Sequence, residues 1–249
     1  YQGNPGAAGL STLQTLDTAG SINLDGGTSA TYEHIDLRAG DGAGAPGTYR
    51  GLFAFGTKGK DLRLAFLLAF PRYATMTNQL KPYNSKATLL NSNFTLPGSI
   101  YYKATTTGSG ILANKTYTIG GTKYTYNFNV TSAAQQTANE ALALKIVQKY
   151  YPNAGDGVDT PALHVNLLRS SRQMRVENNA VIVAHEGNAG FTVSNQTTSG
   201  WSAKLSNNEF DAEEFAWVPN AIAPTTSNAQ YLSDGGNNHM GWNDAGVDD

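Results

Sequence analysis

The clearest alternation of apolar and polar residues lies in the middle of the chain. Tyr124, Tyr126 and Phe128 alternate with polar side chains, which predicts a half-buried β-strand. The pair Gly120-Gly121 precedes this strand and can take the positive φ angles of a two-residue hairpin turn. We therefore expect a β-hairpin whose aromatic side faces the core.

A helix is predicted directly after this strand, over residues 132–150. Ser132 can cap the first turn, and Gln135 completes a capping-box pattern three residues later. Apolar residues then recur every four positions and form one stripe: Ala138, Leu142, Ile146 and Tyr150. Because this stripe needs an apolar surface to cover, we interpret the aromatic ladder of the hairpin as core rather than as an exposed surface that stacks sugars.

Most other periodic segments favour β-strands. Two apolar runs, at residues 49–56 and 61–70, flank a glycine-containing connection and predict a long hairpin. A second hairpin is predicted over residues 173–187, with its turn at Asn178-Asn179. Single strands are predicted in three further segments: residues 31–38, 162–168 and 190–194. The pattern predicts a mainly β fold, with a β-sandwich-like core, one packed amphipathic helix and extended terminal arms.

The two ends of the chain show no sustained period. We divide the chain into a flexible N-terminal arm (1–30), a β-rich core (31–218) and an extended C-terminal arm (219–249). A break near residues 72–98 divides the core into two candidate subdomains. Because ordering a long structureless segment costs conformational entropy, such arms are expected to order against a neighbouring subunit.

Composition narrows the classes of partner. Charged residues make up 14% of the chain, below the roughly 25% of an average soluble domain, which suits an extracellular or particle-bound protein. The net charge of −2 provides no overall field that would attract nucleic acid or an anionic membrane, so neither is expected as a partner. The absence of cysteine excludes disulfides and thiolate metal sites.

The residues that carry catalytic chemistry form no recognisable local motif. Ser199 lacks the sequence context of an activated nucleophile, and Glu213 and Glu214 are candidate paired carboxylates only because they are adjacent. An enzyme would need two or more members of one set to meet in a cleft: His34, His164, His185, Asp156 and Glu186. We therefore do not expect an enzyme.

Calcium is the one cofactor for which the sequence offers ligands. Asp156 and Asp159 lie in a tight loop after the predicted helix, and calcium takes hard oxygen ligands from such loops. The spacing does not match an EF-hand, and a solvated turn is the alternative interpretation. No other cofactor is expected.

Four pieces of sequence between residues 115 and 195 follow one another in a recognisable order. They are a G-T-x-Y-x-Y strand, an alanine-rich helix, a proline break and a return segment: Gly121–Tyr126, Thr137–Val147, Pro152–Ala154 and Gly187–Val193. This order resembles a β-rich module of bacteriophage virion proteins. The resemblance implies a structural part of a tail, collar or head surface, and it transfers no catalytic residues.

We therefore expect a structural protein of a virus or phage particle, located in the virion. It would self-assemble as a homo-oligomer in a capsid or tail, with other copies of itself and neighbouring virion proteins as partners. The alternative is a secreted glycan-binding module, an adhesin or an extracellular filament subunit, located at the cell surface or outside the cell.

Overall fold

A computed structural model describes most of the chain: residues 6–25, 31–41, 49–82, 85, 87–92, 95–108, 110–218 and 228–248. The helices are α1 (Ala7–Thr18), α2 (Thr57–Ala69), α3 (Arg72–Thr75), α4 (Tyr102–Gly108), α5 (Ala133–Gln148), α6 (Gln173–Asn188), α7 (Trp201–Ser206), α8 (Asn228–Tyr231) and α9 (Ala245–Asp248). The strands are β1 (Tyr32–Leu37), β2 (Lys115–Ile119), β3 (Thr122–Tyr126), β4 (His164–Ser170), β5 (Thr192–Thr198) and β6 (Ala212–Trp217). A π-helical turn follows α3, and a short 3-10 turn precedes β4.

The main sheet has four strands in the order β1-β6-β4-β5. The central strand β4 is parallel to both β5 and β6, whereas β1 closes the far edge antiparallel to β6. Parallel neighbours need a crossover connection, and α6 provides it between β4 and β5. Strands β2 and β3 form a separate antiparallel hairpin.

The main core lies between one face of this sheet and the helices α2, α5 and α6. Side chains that point to this face of β4 and β5 pack against residues of all three helices. Leu167 of β4, Ile146 of α5 and Phe66 of α2 are among the side chains with no solvent exposure. A second, smaller core on the opposite face joins Leu168 to Leu205 of α7.

The prediction for the middle of the chain is confirmed. Gly120 and Gly121 have φ angles of 55° and 82°, as a tight hairpin turn requires. Ser132 Oγ accepts a hydrogen bond from the Gln135 amide at 3.2 Å and caps α5. The aromatic residues of the hairpin are partly buried against the main core, next to α5.

The predicted β-sandwich is wrong, because the described chain has more than twice as many helical as strand residues around a partly parallel sheet. The predicted hairpin over residues 49–70 is instead largely the helix α2. Its side chains Leu62, Ala65, Phe66 and Leu68 are at most 1% exposed. Beyond its first turn, over residues 61–69, this helix has no exposed residue, so this part of its sequence cannot be distinguished from a buried strand by its period.

The second predicted hairpin is also wrong, since residues 173–188 form α6. The supposed turn residue Asn178 is 2% exposed and donates to Glu214 Oε1 at 3.2 Å. Polar residues such as Asn178 and Glu186 lie on the buried side of α6 and interrupt the apolar stripe that would have revealed a helix. The arms are not wholly extended either, because α1 lies in the first and α8 and α9 in the last.

The division into arm, core and arm stays a prediction. Parts of both arms, residues 1–5, 26–30, 219–227 and 249, lie outside the described residues, as does part of the break near residues 72–98. Among the described helices, none combines the length and the apolar character needed to cross a membrane.

Candidate functional site

The carboxyl ends of β4, β5 and β6 meet at one edge of the sheet. The connection after β4 leads into α6 on the face of the main core, whereas the connection after β5 leads into α7 on the opposite face. In open α/β sheets, the crevice between connections that leave on opposite faces is where ligands bind. We call the residues at this place the carboxyl edge; they are 170–172, 198–201 and 217–218.

A buried ion pair lies directly beneath the carboxyl edge. Arg169 of β4 and Glu214 of β6 are register partners on parallel strands, so both side chains point to the same face. Arg169 Nη1 lies 3.3 Å from Glu214 Oε2, and the Arg169 side chain has no solvent exposure. Burial raises the pKa of Glu214, and the guanidinium of Arg169 opposes this shift. The same burial lowers the pKa of Arg169.

A second arginine ties the edge to the first strand. Arg175, in the first turn of α6, donates from Nε and Nη2 to the two carboxylate oxygens of Glu33, each at 3.0 Å. Its Nη1 donates to Ser170 Oγ at 2.5 Å. Arg169 in turn donates to the Arg175 carbonyl at 2.8 Å. These bonds connect β1, β4 and α6, so they hold the backbone of the carboxyl edge in one arrangement before any ligand binds.

Aromatic side chains form the other wall of the edge. Phe215 lies at the centre, with ring centroids 4.9 Å from Trp217, 5.7 Å from Trp201 and 4.3 Å from His34. Trp201 and Trp217 are only partly buried, so part of each indole ring reaches solvent. Aromatic walls combined with a few fixed polar groups are the usual lining of a small-molecule site.

The residues proposed for catalysis do not converge in the structure. His34 contacts Asp36 at 3.2 Å, His164 contacts Asp159 at 2.6 Å, and His185 contacts Glu140 at 2.6 Å. The three pairs lie on different elements. Glu186 is buried in the core, and Glu213 and Glu214 point to opposite faces of the sheet, as successive strand residues must.

The calcium hypothesis stays a prediction. Asp156 Oδ1 accepts from the Val158 amide at 2.8 Å, which is the geometry of a turn, and Asp159 accepts from His164 and Thr192. Across the described ranges, no three His, Asp or Glu side chains are grouped to hold a metal ion. Ser199 lies at the carboxyl edge, in the connection after β5.

Sequence reasoning missed the two arginines and the two tryptophans of the carboxyl edge. A signal was available in the stretch LLRSSRQMR, where an arginine ends an apolar strand. Arginine is almost never fully buried without a partner, so such a position indicates a buried pair.

Several solved structures to which this chain is similar are those of binding proteins. The Escherichia coli murein tripeptide binding protein MppA is 15% identical with a TM-score of 0.63, over 96% of this chain and 39% of that one. Haemophilus influenzae OppA, in complex with RPPGFSPFR, is 11% identical with a TM-score of 0.61, over 96% and 39%. The oligopeptide-binding protein AppA from Bacillus subtilis, in complex with a nonapeptide, is 16% identical with a TM-score of 0.53, over 96% and 45%.

Identities this low show a shared fold alone, and the chain spans between 39% and 45% of the length of these three structures. No protein-family model and no curated protein sequence matches the chain. The similar structures are binding proteins rather than enzymes.

This fold overturns the prediction of a virion protein. The structural neighbours are periplasmic and transporter-associated binding proteins, not tail, collar or capsid proteins. The strand and helix pattern of residues 115–195 is compatible with a mixed α/β sheet, so it did not identify a phage module. The predicted virion location, self-assembly into a homo-oligomer and virion partners are therefore wrong, and the glycan-binding adhesin is unsupported as well.

Proposed function

We propose that this chain forms a ligand-binding part of a substrate-binding protein for peptides, which serves a membrane transporter outside the cytoplasm. The observation that carries the proposal is the likeness to peptide-binding structures over 96% of the chain. One neighbour, CtaP from Listeria monocytogenes, is described as an ABC transporter substrate-binding protein. Binding without chemical conversion also agrees with the scattered positions of the histidines.

The carboxyl edge offers groups that suit a peptide. A peptide presents amide donors and acceptors along its length, and Ser171, Ser199 and the backbone at the start of α6 can pair with them. Arg172 is exposed at the N-terminus of α6, where the helix dipole and free N–H groups also favour a carboxylate. The partly exposed indoles of Trp201 and Trp217 can cover apolar peptide side chains.

The proposal is tested by measuring binding of a panel of tripeptides to nonapeptides to the purified chain by calorimetry and by thermal unfolding. A bound peptide at about 100 times its Kd stabilises the native state by about 2.7 kcal/mol, which is readily detected as a rise in Tm. We expect Trp217→Ala and Arg172→Ala to weaken binding.

Arg50→Ala is the matched control for the arginine change. Arg50 is exposed and follows Tyr49, whose hydroxyl donates to Asp211 Oδ1 at 2.7 Å. Because Asp211 immediately precedes β6, Arg50 lies at the amino edge of the sheet, opposite the carboxyl edge. Failure of every peptide to bind, or an equal loss in Arg50→Ala and Arg172→Ala, would contradict the assignment of the carboxyl edge.

A further inference from the structure

The small net charge of the whole chain is the sum of one strongly positive segment and a strongly negative remainder. Residues 51–150 hold 11 of the 17 basic residues and 2 of the 19 acidic ones, which gives this segment a net charge of +9. The remaining residues carry a net charge of −11. The total charge predicts no attraction to an anionic surface. A local cluster of basic residues on one surface can still provide such attraction.

Tertiary contacts do gather several of these lysines with tyrosines into one continuous ribbon. Lys58 Nζ of α2 lies 4.4 Å from the ring centroid of Tyr151 and 5.8 Å from that of Tyr150. Lys149 Nζ, at the end of α5, lies 5.3 Å from the Tyr150 ring and 4.9 Å from the Tyr117 ring of the hairpin.

The ribbon continues across the hairpin. Tyr117 is the register partner of Tyr124, and Lys145 Nζ lies 5.8 Å from the Tyr124 ring. We call these seven side chains the lysine–tyrosine ribbon: Lys58, Tyr117, Tyr124, Lys145, Lys149, Tyr150 and Tyr151. It crosses from α2 over the end of α5 onto β2 and β3.

The positive charge of the ribbon is only partly neutralised. Asp61 pairs with Lys149 at 2.6 Å and accepts from the Tyr150 hydroxyl at 2.6 Å. Within the described part of the chain, Lys58 and Lys145 form no ion pair, and both are exposed. Their ammonium groups lie over tyrosine rings that are partly buried against the core, so the charges face outward and the rings are not open platforms for stacking.

Exposed apolar side chains flank the base of the same hairpin. Leu112 is 46% exposed, and its carbonyl accepts from Asn127 Nδ2 at 3.1 Å just after β3. Ile100 is 81% exposed, immediately before α4. The Tyr102 hydroxyl of α4 accepts from the Asn91 amide, and Asn91 Nδ2 donates to Asn129 Oδ1 at 2.9 Å just after β3, which links this helix to the base of the hairpin.

We propose that the lysine–tyrosine ribbon docks on the surface of a lipid bilayer that contains anionic headgroups. Lysines near an anionic membrane each strengthen binding, and exposed aliphatic side chains can enter the boundary of the acyl region. A second copy of the chain could offer acidic groups but would not explain the exposed Leu112 and Ile100 near the base of the hairpin. This interaction is independent of the proposed binding of peptides.

The docking would also orient the ligand site. The end of α5 lies at the amino edge of the sheet, because a Cβ at Gly190, just before β5, would lie 3.5 Å from Leu144 of α5 and 3.0 Å from Ala154. The carboxyl edge is at the other end of the same strands. A chain bound through the ribbon would therefore present its carboxyl edge away from the lipid.

Co-sedimentation with large unilamellar vesicles tests the proposal. The full chain is mixed with vesicles of phosphatidylglycerol and phosphatidylcholine, and in parallel with vesicles of phosphatidylcholine alone. We expect binding to the anionic vesicles only, weakening as salt shortens the Debye length from about 10 Å at 0.1 M. The double variant Lys58→Gln/Lys145→Gln should lower the partition coefficient about 30-fold, at roughly fivefold per lysine.

The matched control removes the same charge elsewhere. Arg172 is exposed at the carboxyl edge, at the other end of the strands from the ribbon, and Lys204 pairs with Glu209 at 3.3 Å in α7, on the opposite face of the sheet from α2 and α5. Without peptide present, Arg172→Gln/Lys204→Gln should therefore bind vesicles as the wild type does. Circular dichroism establishes that each variant is folded. Absence of vesicle binding, or an equal loss in the two double variants, overturns the proposal. Charge-dependent self-association in sedimentation velocity, without vesicle binding, would assign the ribbon to a second copy instead.

Discussion

Glu186 is a buried carboxyl group whose substitution should change how stability depends on pH. It lies in α6 with no solvent exposure, and neither of its carboxyl oxygens has a hydrogen-bond partner among the described residues. Burial raises its pKa well above the ordinary value, and the nearby charge of Glu140 raises the pKa further. His185 and Asn188 contact Glu140, at 2.6 Å and 2.8 Å, and compensate that carboxylate instead.

The sign of the effect follows from the raised pKa. The native state binds this proton more tightly than the unfolded state does, so the unfolded chain releases it first as the pH rises. The contribution of this group to the free energy of unfolding is therefore fully present at low pH. It decreases as the pH rises above about 4.3, the ordinary pKa of glutamate. The loss amounts to about 1.4 kcal/mol per pH unit until the pKa of the folded state is reached.

Glu186→Gln keeps the shape of the side chain and removes the titration. We expect the free energy of unfolding of the variant, relative to the wild type, to rise as the pH increases above about pH 4.3, by at most about 1.4 kcal/mol per pH unit. Urea unfolding followed by circular dichroism measures this difference, with the m value confirming that the transition is unchanged. Other titrating groups contribute equally to both proteins and cancel in the difference.

Glu177→Gln provides the control, because it makes the same chemical change on the same helix at a partly exposed position. Comparison of the two variants separates the effect of removing a buried carboxyl group from the general effect of a glutamate-to-glutamine change on this helix. If the curve of Glu186→Gln is parallel to that of the wild type, Glu186 is charged in the native state, and the reasoning from burial is refuted.

Three further substitutions test the core and the site by urea or thermal unfolding. Arg169→Met leaves Glu214 buried without its ion-pair partner and should cost about 3 to 5 kcal/mol. Adding Glu214→Gln should restore part of that loss, and no recovery would argue against their coupling. Phe66→Ala removes a ring with no solvent exposure and should also cost about 3 to 5 kcal/mol, whereas a loss below about 1 kcal/mol would place the ring outside the main core. Ser132→Ala removes the cap of α5 and should cost about 1 kcal/mol, and an unchanged Tm would show that the cap bond is not formed in solution.

The elements that could be predicted from the sequence are those specified by neighbours in the chain. The cap of α5 joins Ser132 to Gln135, and the hairpin turn needs only two adjacent glycines, so both signals lie within a few residues. Strands β1, β4 and β5 were likewise visible as short alternating or apolar runs. Each of these predictions depended on local geometry.

The elements that could not be predicted are those whose pattern is set by distant partners. In α6, Asn178 is buried because Glu214 accepts its hydrogen bond and Thr75 donates to it, and both partners are far away in the chain. Because this polar residue interrupts the buried stripe, the sequence of the helix was interpreted as two strands joined by a turn. The mistaken β-sandwich followed from this helix and from α2, whose second half, residues 64–69, is uniformly apolar and contains no period.

The same division holds for the candidate sites. The sequence by itself determined the excess of lysine in residues 51–150 and the arginine that ends an apolar strand. Only the tertiary structure brought Lys58 of α2 next to Tyr151 and placed Arg169 opposite Glu214. Charge is a property of each residue and can be counted along the chain. Whether charges share a surface or neutralise one another depends on distances between elements, which the packing of the helices on the sheet decides.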